Sequence, residues 1–519
     1  MKKHVSLFLL FVLSLFAVPA GATTIYVSQS GGTFSGGTAC NGLTTISIST
    51  FNSTSLSAGE TVYLCGTITS SVVPKNGGSS GSPVLIQWDT GALVSVCSTS
   101  YAIFPQNYMI FDLGGNSPAL ECPNNGTGLT TQIDAQGFNP GAGSFANVEI
   151  RNGTIGPLYI KTGTGNDGGG TAIYLYGGGN NYFHNLTCNQ MMQCINYQIG
   201  GTVSGDEVGY ITVTNTGTGI WYACGGSPCN STGAKIHDMN FTPSQNWAST
   251  GDVFHNELIH FYSNGSGTSI SGVLVYNNSC IGSWPYASTW NATACLFAEA
   301  ATSGGGTTSG IMFNNLCQWT ANGYPPGDGC IYIGNPPGQS WQLYNNTIDC
   351  GSASMNQSIG MELDGGSGMA FTYRNNIIMN CETAMENGGS GGTYTGDTNI
   401  YYNIGSGEFQ WRGNTISFAT WQSDSGTDAD SSTSNPGLNS NYTIASSSSL
   451  AHTLGGDNLT SLAVTTLDIG APQTNGVSGA CGTGCVARAS SGAWDLGLYP
   501  LGAAGAAPSP PTNVTATPH

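Results

Sequence analysis

The densest group of proton-carrying side chains is the stretch GDVFHNELIH, where Asp252, His255, Glu257 and His260 fall within nine positions. Histidine changes charge near neutral pH, so His260 beside Glu257 is a candidate general base of the kind that removes a proton next to a sugar carboxylate. The two histidines stand five apart and not four, which does not match the helical zinc-protease spacing. A second group, Glu299, Glu362, Asp364 and Glu386, consists only of carboxylates. Two carboxylates two residues apart on one strand face lie about 6.6 Å apart, close to what an inverting glycosidase needs for its acid and base. Glu299, Glu362 and Asp364 also offer the hard oxygens that Ca2+ prefers, and such an ion could neutralise a uronate. The run Asp424, Asp428, Asp430 lacks the ordered spacing of a calcium loop and reads as a solvated turn.

Those residues need strands to hold them. Gly supplies 78 of 519 residues and only 7% are charged, yet 39% are hydrophobic and Trp, Tyr and Phe number 10, 23 and 18. Such a chain can build a core, while its Gly, Ser, Thr and Asn disfavour helix. A phrase of the form apolar-x-Asn recurs, ending at Asn152, Asn185, Asn215, Asp238, Asn278, Asn315, Asn346, Asn375 and Asn403, at intervals of 23 to 40 residues. Between its copies runs a second phrase, a small or apolar residue followed by an aliphatic one: Ala172-Ile173, Cys194-Ile195, Gly219-Ile220, Leu258-Ile259, Cys295-Leu296, Cys330-Ile331, Gly360-Met361 and Ala384-Met385. The spacing predicts the coils of an all-β, right-handed parallel β-helix with three sheets and stacked Asn at one corner. A sandwich would repeat every 8 to 12 residues without a recurring Asn.

If the aliphatic residue points inward, its successor points out. Those successors are Tyr174, Asn196, Trp221, His260, Phe297, Tyr332, Glu362 and Glu386, and two residues on stand Tyr176, Gln198, Ala223, Tyr262, Glu299, Gly334 and Asp364. Aromatic side chains in a row suit stacking on a sugar chain, which makes Tyr174, Trp221, Tyr262, Phe297 and Tyr332 candidate substrate contacts. His255, Trp284 and Trp290, on the variable segments beside that face, join them as walls of a groove. The competing reading has those segments cover the face and pack on the aromatics.

Lys2 and Lys3, an apolar run from Val5 to Val18 and Ala20-Gly21-Ala22 read as a signal peptide over 1–22. Without it, 7 basic and 27 acidic residues give 7 − 27 = −20, which argues against nucleic acid and against an unbridged polyuronate. An exported, monomeric protein without a membrane span follows, and its 16 Cys favour disulfides. Cys188 with Cys194, Cys224 with Cys229 and Cys481 with Cys485 look like local pairs. Cys280 and Cys317 either close their own loops, to Cys295 and Cys330, or join each other across adjacent coils.

The two phrases, the opening TTIYVSQSGG and AGETVYLCGTIT, and the tail from SNPGLNSNYTIASSSSLAH through RASSGAWDLGLYP resemble those of secreted bacterial β-helix proteins of the pectate-lyase-like superfamily. The resemblance implies a fold and a compartment, not a reaction. The paired Asp phrase of polygalacturonases and the Arg-x-Pro-x-x-Arg of pectate lyases are missing. The expected layout is a cap and first coils over 23–135, central coils over 136–410, a closing segment over 411–500, and a Pro- and Ala-rich linker over 501–519 whose PPTNVTAT is similar to the start of a fibronectin type III module. The expected function is polysaccharide binding with cleavage by a lyase or hydrolase; a non-catalytic binding module is the alternative.

Overall fold

The computed structural model describes residues 23–141, 143–162, 169–226, 228–242, 247, 257–282, 294–300, 305–319, 329–334, 339–354, 358–389, 391–406, 408–459 and 492–501. His255, Trp284, Trp290, Cys481 and Cys485 lie outside them. The chain is a parallel β-helix of three sheets, whose coils wind in the right-handed sense that parallel crossovers take. Sheet A contains Thr171–Tyr176, Ile259–Ser263, Leu296–Ala300, Ile331–Gly334, Ile359–Leu363 and Thr383–Asn387. Sheet B contains Lys235–His237, Ser340–Tyr344, Ala370–Arg374 and Thr393–Asp397. Sheet C contains Ser279–Gly282, Leu316–Trp319, Thr347–Asp349 and Ile377–Met379. Twelve successive pairings run along sheet B from Thr24–Ser28 to Thr393–Asp397, a rod of about 58 Å at roughly 4.8 Å per step.

The second repeated phrase supplies the core. Ile173, Ile195, Ile220, Ile259, Leu296, Ile331, Met361 and Met385 pair in unbroken register, and each is at most 1% exposed. Small residues precede several of them because the preceding position abuts the next coil: a Cβ on Gly219 would meet the Leu258 carbonyl oxygen at 2.4 Å.

The Asn phrase resolves into two stacks instead of one. At the corner between sheets B and C, Asn152, Asn185, Tyr210, Asp238, Asn277, Asn314, Asn345, Asn375 and Thr398 all take positive φ, the left-handed bend that Asn tolerates. One residue later, Asn278, Asn315, Asn346, Asn376 and Asn399 form the buried amide ladder. Asn315 is typical: its Oδ1 accepts from the Asn278 backbone N–H at 3.1 Å and from Asn278 Nδ2 at 3.0 Å, while its Nδ2 donates to the Asn346 Oδ1 at 2.9 Å and to the Val275 carbonyl at 3.1 Å. Asn185 and Asn375 therefore bend the chain but do not carry the ladder. Asn215 and Asn403 belong to the next corner, where their amides donate to Asn189 and Asn380. The shared three-letter pattern concealed these differences of phase.

Asp428 ends the ladder. It is fully buried and accepts from Asn399 Nδ2 at 2.9 Å, Tyr401 Oη at 3.0 Å and Trp421 Nε1 at 2.9 Å, which corrects the reading of a solvated turn; Asp424 and Asp430 are exposed. At the other end an antiparallel pair, Ser30–Thr33 with Thr44–Ser47, and a helical turn at Ile48–Phe51 close the first coil. Residues 492–501 return along the B–C corner, where Asn345 Nδ2 donates to the Asp495 carbonyl and the Leu498 N–H donates to Thr347 Oγ1. Seven disulfides staple the described coils, and they settle the open pairing: Cys280 joins Cys295 and Cys317 joins Cys330, although Cys280 and Cys317 are register neighbours. Among the described residues no helix is long and apolar enough to cross a membrane.

Candidate functional site

The outer face of sheet A carries the first row in register: Tyr174, Asn196, Trp221, His260, Phe297, Tyr332, Glu362 and Glu386 are successive partners on successive strands. Its middle is a packed stack. Ring centroids lie 4.3 Å apart for Trp221 and His260, 4.5 Å for His260 and Phe297, and 4.4 Å for Phe297 and Tyr332. These distances nearly match the strand spacing, so each ring packs against its neighbour, tilted at 57° and 50° on either side of His260 and stacked at 24° between Phe297 and Tyr332. The result is that His260, Phe297 and Tyr332 are 0%, 4% and 7% exposed, whereas Tyr174, Trp221, Tyr262, Glu299, Glu362, Asp364 and Glu386 are half-buried and Tyr176 is exposed. Tyr332 also leans over the next position of its own strand, where a Cβ on Gly334 would meet its hydroxyl at 2.1 Å.

His260 sits between two carboxylates. Its Nε2 lies 3.2 Å from Glu299 Oε1 and its Nδ1 3.7 Å from Glu257 Oε1. Glu257 and His260 are fully buried, while the Glu299 side chain is 21% exposed. Glu299 is thus the member of this trio that faces outward, with His260 behind it.

Two strands further along, Glu362 and Glu386 are direct partners, and Asp364 stands two residues beyond Glu362 with Gly388 N–H donating to its Oδ1 at 3.0 Å. Burial pushes the Asp364 carboxyl up, and burial together with the charge of Asp364 pushes Glu386 up. Like charges on adjacent strands favour the protonated form of one member. Glu299 belongs to the second row two strands earlier, with Gly334 between it and the strand of Asp364, about 9.6 Å away, and it is turned to His260. Glu299, Glu362 and Asp364 therefore do not gather around one point, and among the described residues no group of three His, Cys, Asp or Glu is placed to hold a metal ion.

A third cluster, on the outer face of sheet B, escaped the sequence reading. Arg151 Nε binds Asp112 at 2.9 Å and its Nη1 binds Glu149 at 2.6 Å; His184 Nε2 meets the same Glu149 at 3.0 Å. Two coils on, Glu207 takes Lys235 at 3.1 Å and His237 at 3.3 Å, and His237 Nδ1 meets Asp238 at 2.8 Å. Burial opposes ionisation here, but the hydrogen bonds and charges outweigh it, so Glu207 is held down at about 2 and His237 raised to about 9. The signal was present: Arg151, His184 and His237 are the middle letters of IRN, FHN and IHD.

No family model matches the chain, and no curated protein matches it. Solved structures do. A DFA-IIIase from Arthrobacter chlorophenolicus A6 in complex with GF2 aligns at TM-score 0.39 and 10% identity over 69% of this chain and 90% of its own. A GH136 lacto-N-biosidase from Eubacterium ramulus aligns at 0.38 and 11% over 74% and 66%. A pectate lyase, Pel9A, aligns at 0.37 and 12% over 93% and 98%.

Proposed function

We propose that this chain works outside the cell as a carbohydrate-active enzyme that holds a polysaccharide along the outer face of sheet A and hydrolyses it. The observation that carries this reading is the carboxylate group Glu362, Asp364 and Glu386, half-buried and in adjacent register, with two of its members pushed up in pKa. Glycoside hydrolysis needs one carboxyl that still holds its proton to give to the leaving oxygen, and a second that is ionised. Raised Asp364 or Glu386 serves as the acid, and Glu362 is its carboxyl partner. Trp221 and Tyr262, half-buried on neighbouring strands and 5.9 Å apart, offer faces to sugar rings.

His260 acts in this reading as a positioning residue for Glu299, since its ring is enclosed and both nitrogens face carboxylates. A lyase would instead use His260 as base and a calcium ion on Glu362 and Asp364. Purified protein screened against acidic and neutral polysaccharides separates these cases, reading new reducing ends and the absorbance of unsaturated products. Hydrolysis predicts reducing ends that disappear in Glu362→Gln and do not respond to a calcium chelator. Unsaturated products lost in His260→Ala and on chelation would establish the lyase. Binding without either product would leave a non-catalytic module.

A further inference from the structure

The N-terminal end of the sheet A face is built differently from its acidic end. Tyr176 is 44% exposed, one of three exposed large hydrophobic side chains among the described residues, and its hydroxyl accepts from the Tyr174 hydroxyl at 2.9 Å. The two rings meet edge to face at 5.1 Å. On the strand beside them, Asn196 Nδ2 donates to Gln193 Oε1 at 2.6 Å and Gln198 Nε2 donates to Asn196 Oδ1 at 3.0 Å. On the strand at the other side, Asn139 makes the same bond to Gln136. Asn196, Gln193 and Asn139 are themselves buried, so the ring pair presents stacking surface beside the half-buried amides of Gln198 and Gln136, which both donate and accept and complement a ring bearing hydroxyls.

The face is also poor in cations: Arg412 directly follows the sheet A strand Glu408–Trp411 beyond its acidic end, with its guanidinium over the Trp411 ring. Between Lys161 and Arg412 the sequence contains only Lys235 and Arg374, and both stand on sheet B, in ion pairs with Glu207 and Asp457. Against this, Glu257, Glu299, Glu362, Asp364 and Glu386 all belong to sheet A or its approach. A carboxylated sugar chain would meet repulsion along most of the face, with Arg412 as the guanidinium near its acidic end.

We propose that the ligand is a neutral polysaccharide lying parallel to the helix axis, and that Tyr174 and Tyr176, seven strand steps from Glu386, form a distal subsite for it with Gln198, which Asn196 braces from beneath. This rests on sheet A being the glycan face. A neutral chain also has no acidic carbon–hydrogen bond beside a carboxylate, so its cleavage is hydrolytic.

Calorimetric titration of wild type, Tyr176→Ala and Glu362→Gln with neutral heptasaccharides of xylan, cellulose and mannan, and with oligogalacturonate with and without calcium chloride, tests it. At least one neutral chain should bind, Tyr176→Ala should weaken it about tenfold, as for aromatic platforms elsewhere, and oligogalacturonate should not compete. In turnover, Tyr176→Ala should raise KM and leave kcat. Tighter binding of oligogalacturonate than of every neutral chain would overturn the ligand class. Unchanged affinity in Tyr176→Ala, with cleavage still lost in Glu362→Gln, would remove the subsite and leave the catalytic reading standing. Tenfold weakening without cleavage in wild type would do the reverse. Binding of no glycan would overturn both.

Discussion

A single amide shows how much this fold depends on phase. Asn315 makes four hydrogen bonds inside the rod, so Asn315→Leu leaves the donors of Asn278 and the acceptors at Asn346 and Val275 unmet, and should cost about 1 to 3 kcal/mol in urea unfolding. Asn215, exposed, donating to Asn189 and held at positive φ, should instead tolerate a change to Gly, which keeps that bend, within about 0.5 kcal/mol. The sequence made these two look equivalent, because a strand end followed by Asn marks a turn and does not reveal whether the amide lies inside or outside it. His237 carries a second residue-scale expectation. Its folded pKa of about 9 lies above the ordinary 6.5, so its contribution is complete below about pH 6.5 and disappears as pH rises through about 9. Glu207, held at about 2, acts in the opposite direction, and its share is lost as pH falls from about 4.5. Thermal melts of wild type and His237→Gln should therefore differ most between about pH 5 and 7, by about 1 to 3 kcal/mol given that Glu207 is partly exposed, and converge toward pH 10. A constant difference across that range would show that the ring matters for packing and not for charge.

Elements were more legible than residues. The aliphatic phrase predicted the inner column of sheet A from Ile173 to Met385 because strand alternation has a period of two and a one-residue slip would turn the whole column outward. The outer row followed from the same arithmetic. What alternation could not give was exposure: it says that Phe297 and Tyr332 point away from the core, not that rings spaced one strand apart close over one another. It was equally silent on the sheet B ion pairs, whose members come from coils about 30 residues apart. Disulfides belong to this scale too. Cys188 and Cys194 enclose a separation of 6 residues and Cys350 and Cys381 one of 31. Chain-entropy arithmetic gives about 2 kcal/mol for the first and about 4 kcal/mol for the second. Replacing the Cys350–Cys381 pair by Ala should accordingly lower the urea midpoint more than replacing Cys188–Cys194, and the reverse order would point to native-state contacts at the shorter staple.

At the scale of the whole rod, each coil touches chiefly the coils before and after it, so stability accumulates by neighbours and the ends matter disproportionately. Asp428 is the end that can be tested most directly. Asp428→Ala would strand the Asn399 amide, the Tyr401 hydroxyl and the Trp421 indole in a dry interior, and should cost more than any single rung, about 3 kcal/mol or above, with amide exchange accelerating first in residues 377–411. The ladder also has a sense of direction. Every ladder Asn donates one Nδ2 proton to the following coil and the other back to a carbonyl of the preceding coil, while its side-chain oxygen accepts from the preceding coil, from Met239 N–H through Asn278 to Asn399. A chain that emerges from its amino end first can therefore lay down coils in order, each newcomer supplying the oxygen that the last one lacks. The debt passes along the rod until a carboxylate absorbs it. A nascent chain interrupted between residues 278 and 428 lacks the oxygen that answers its last ladder amide.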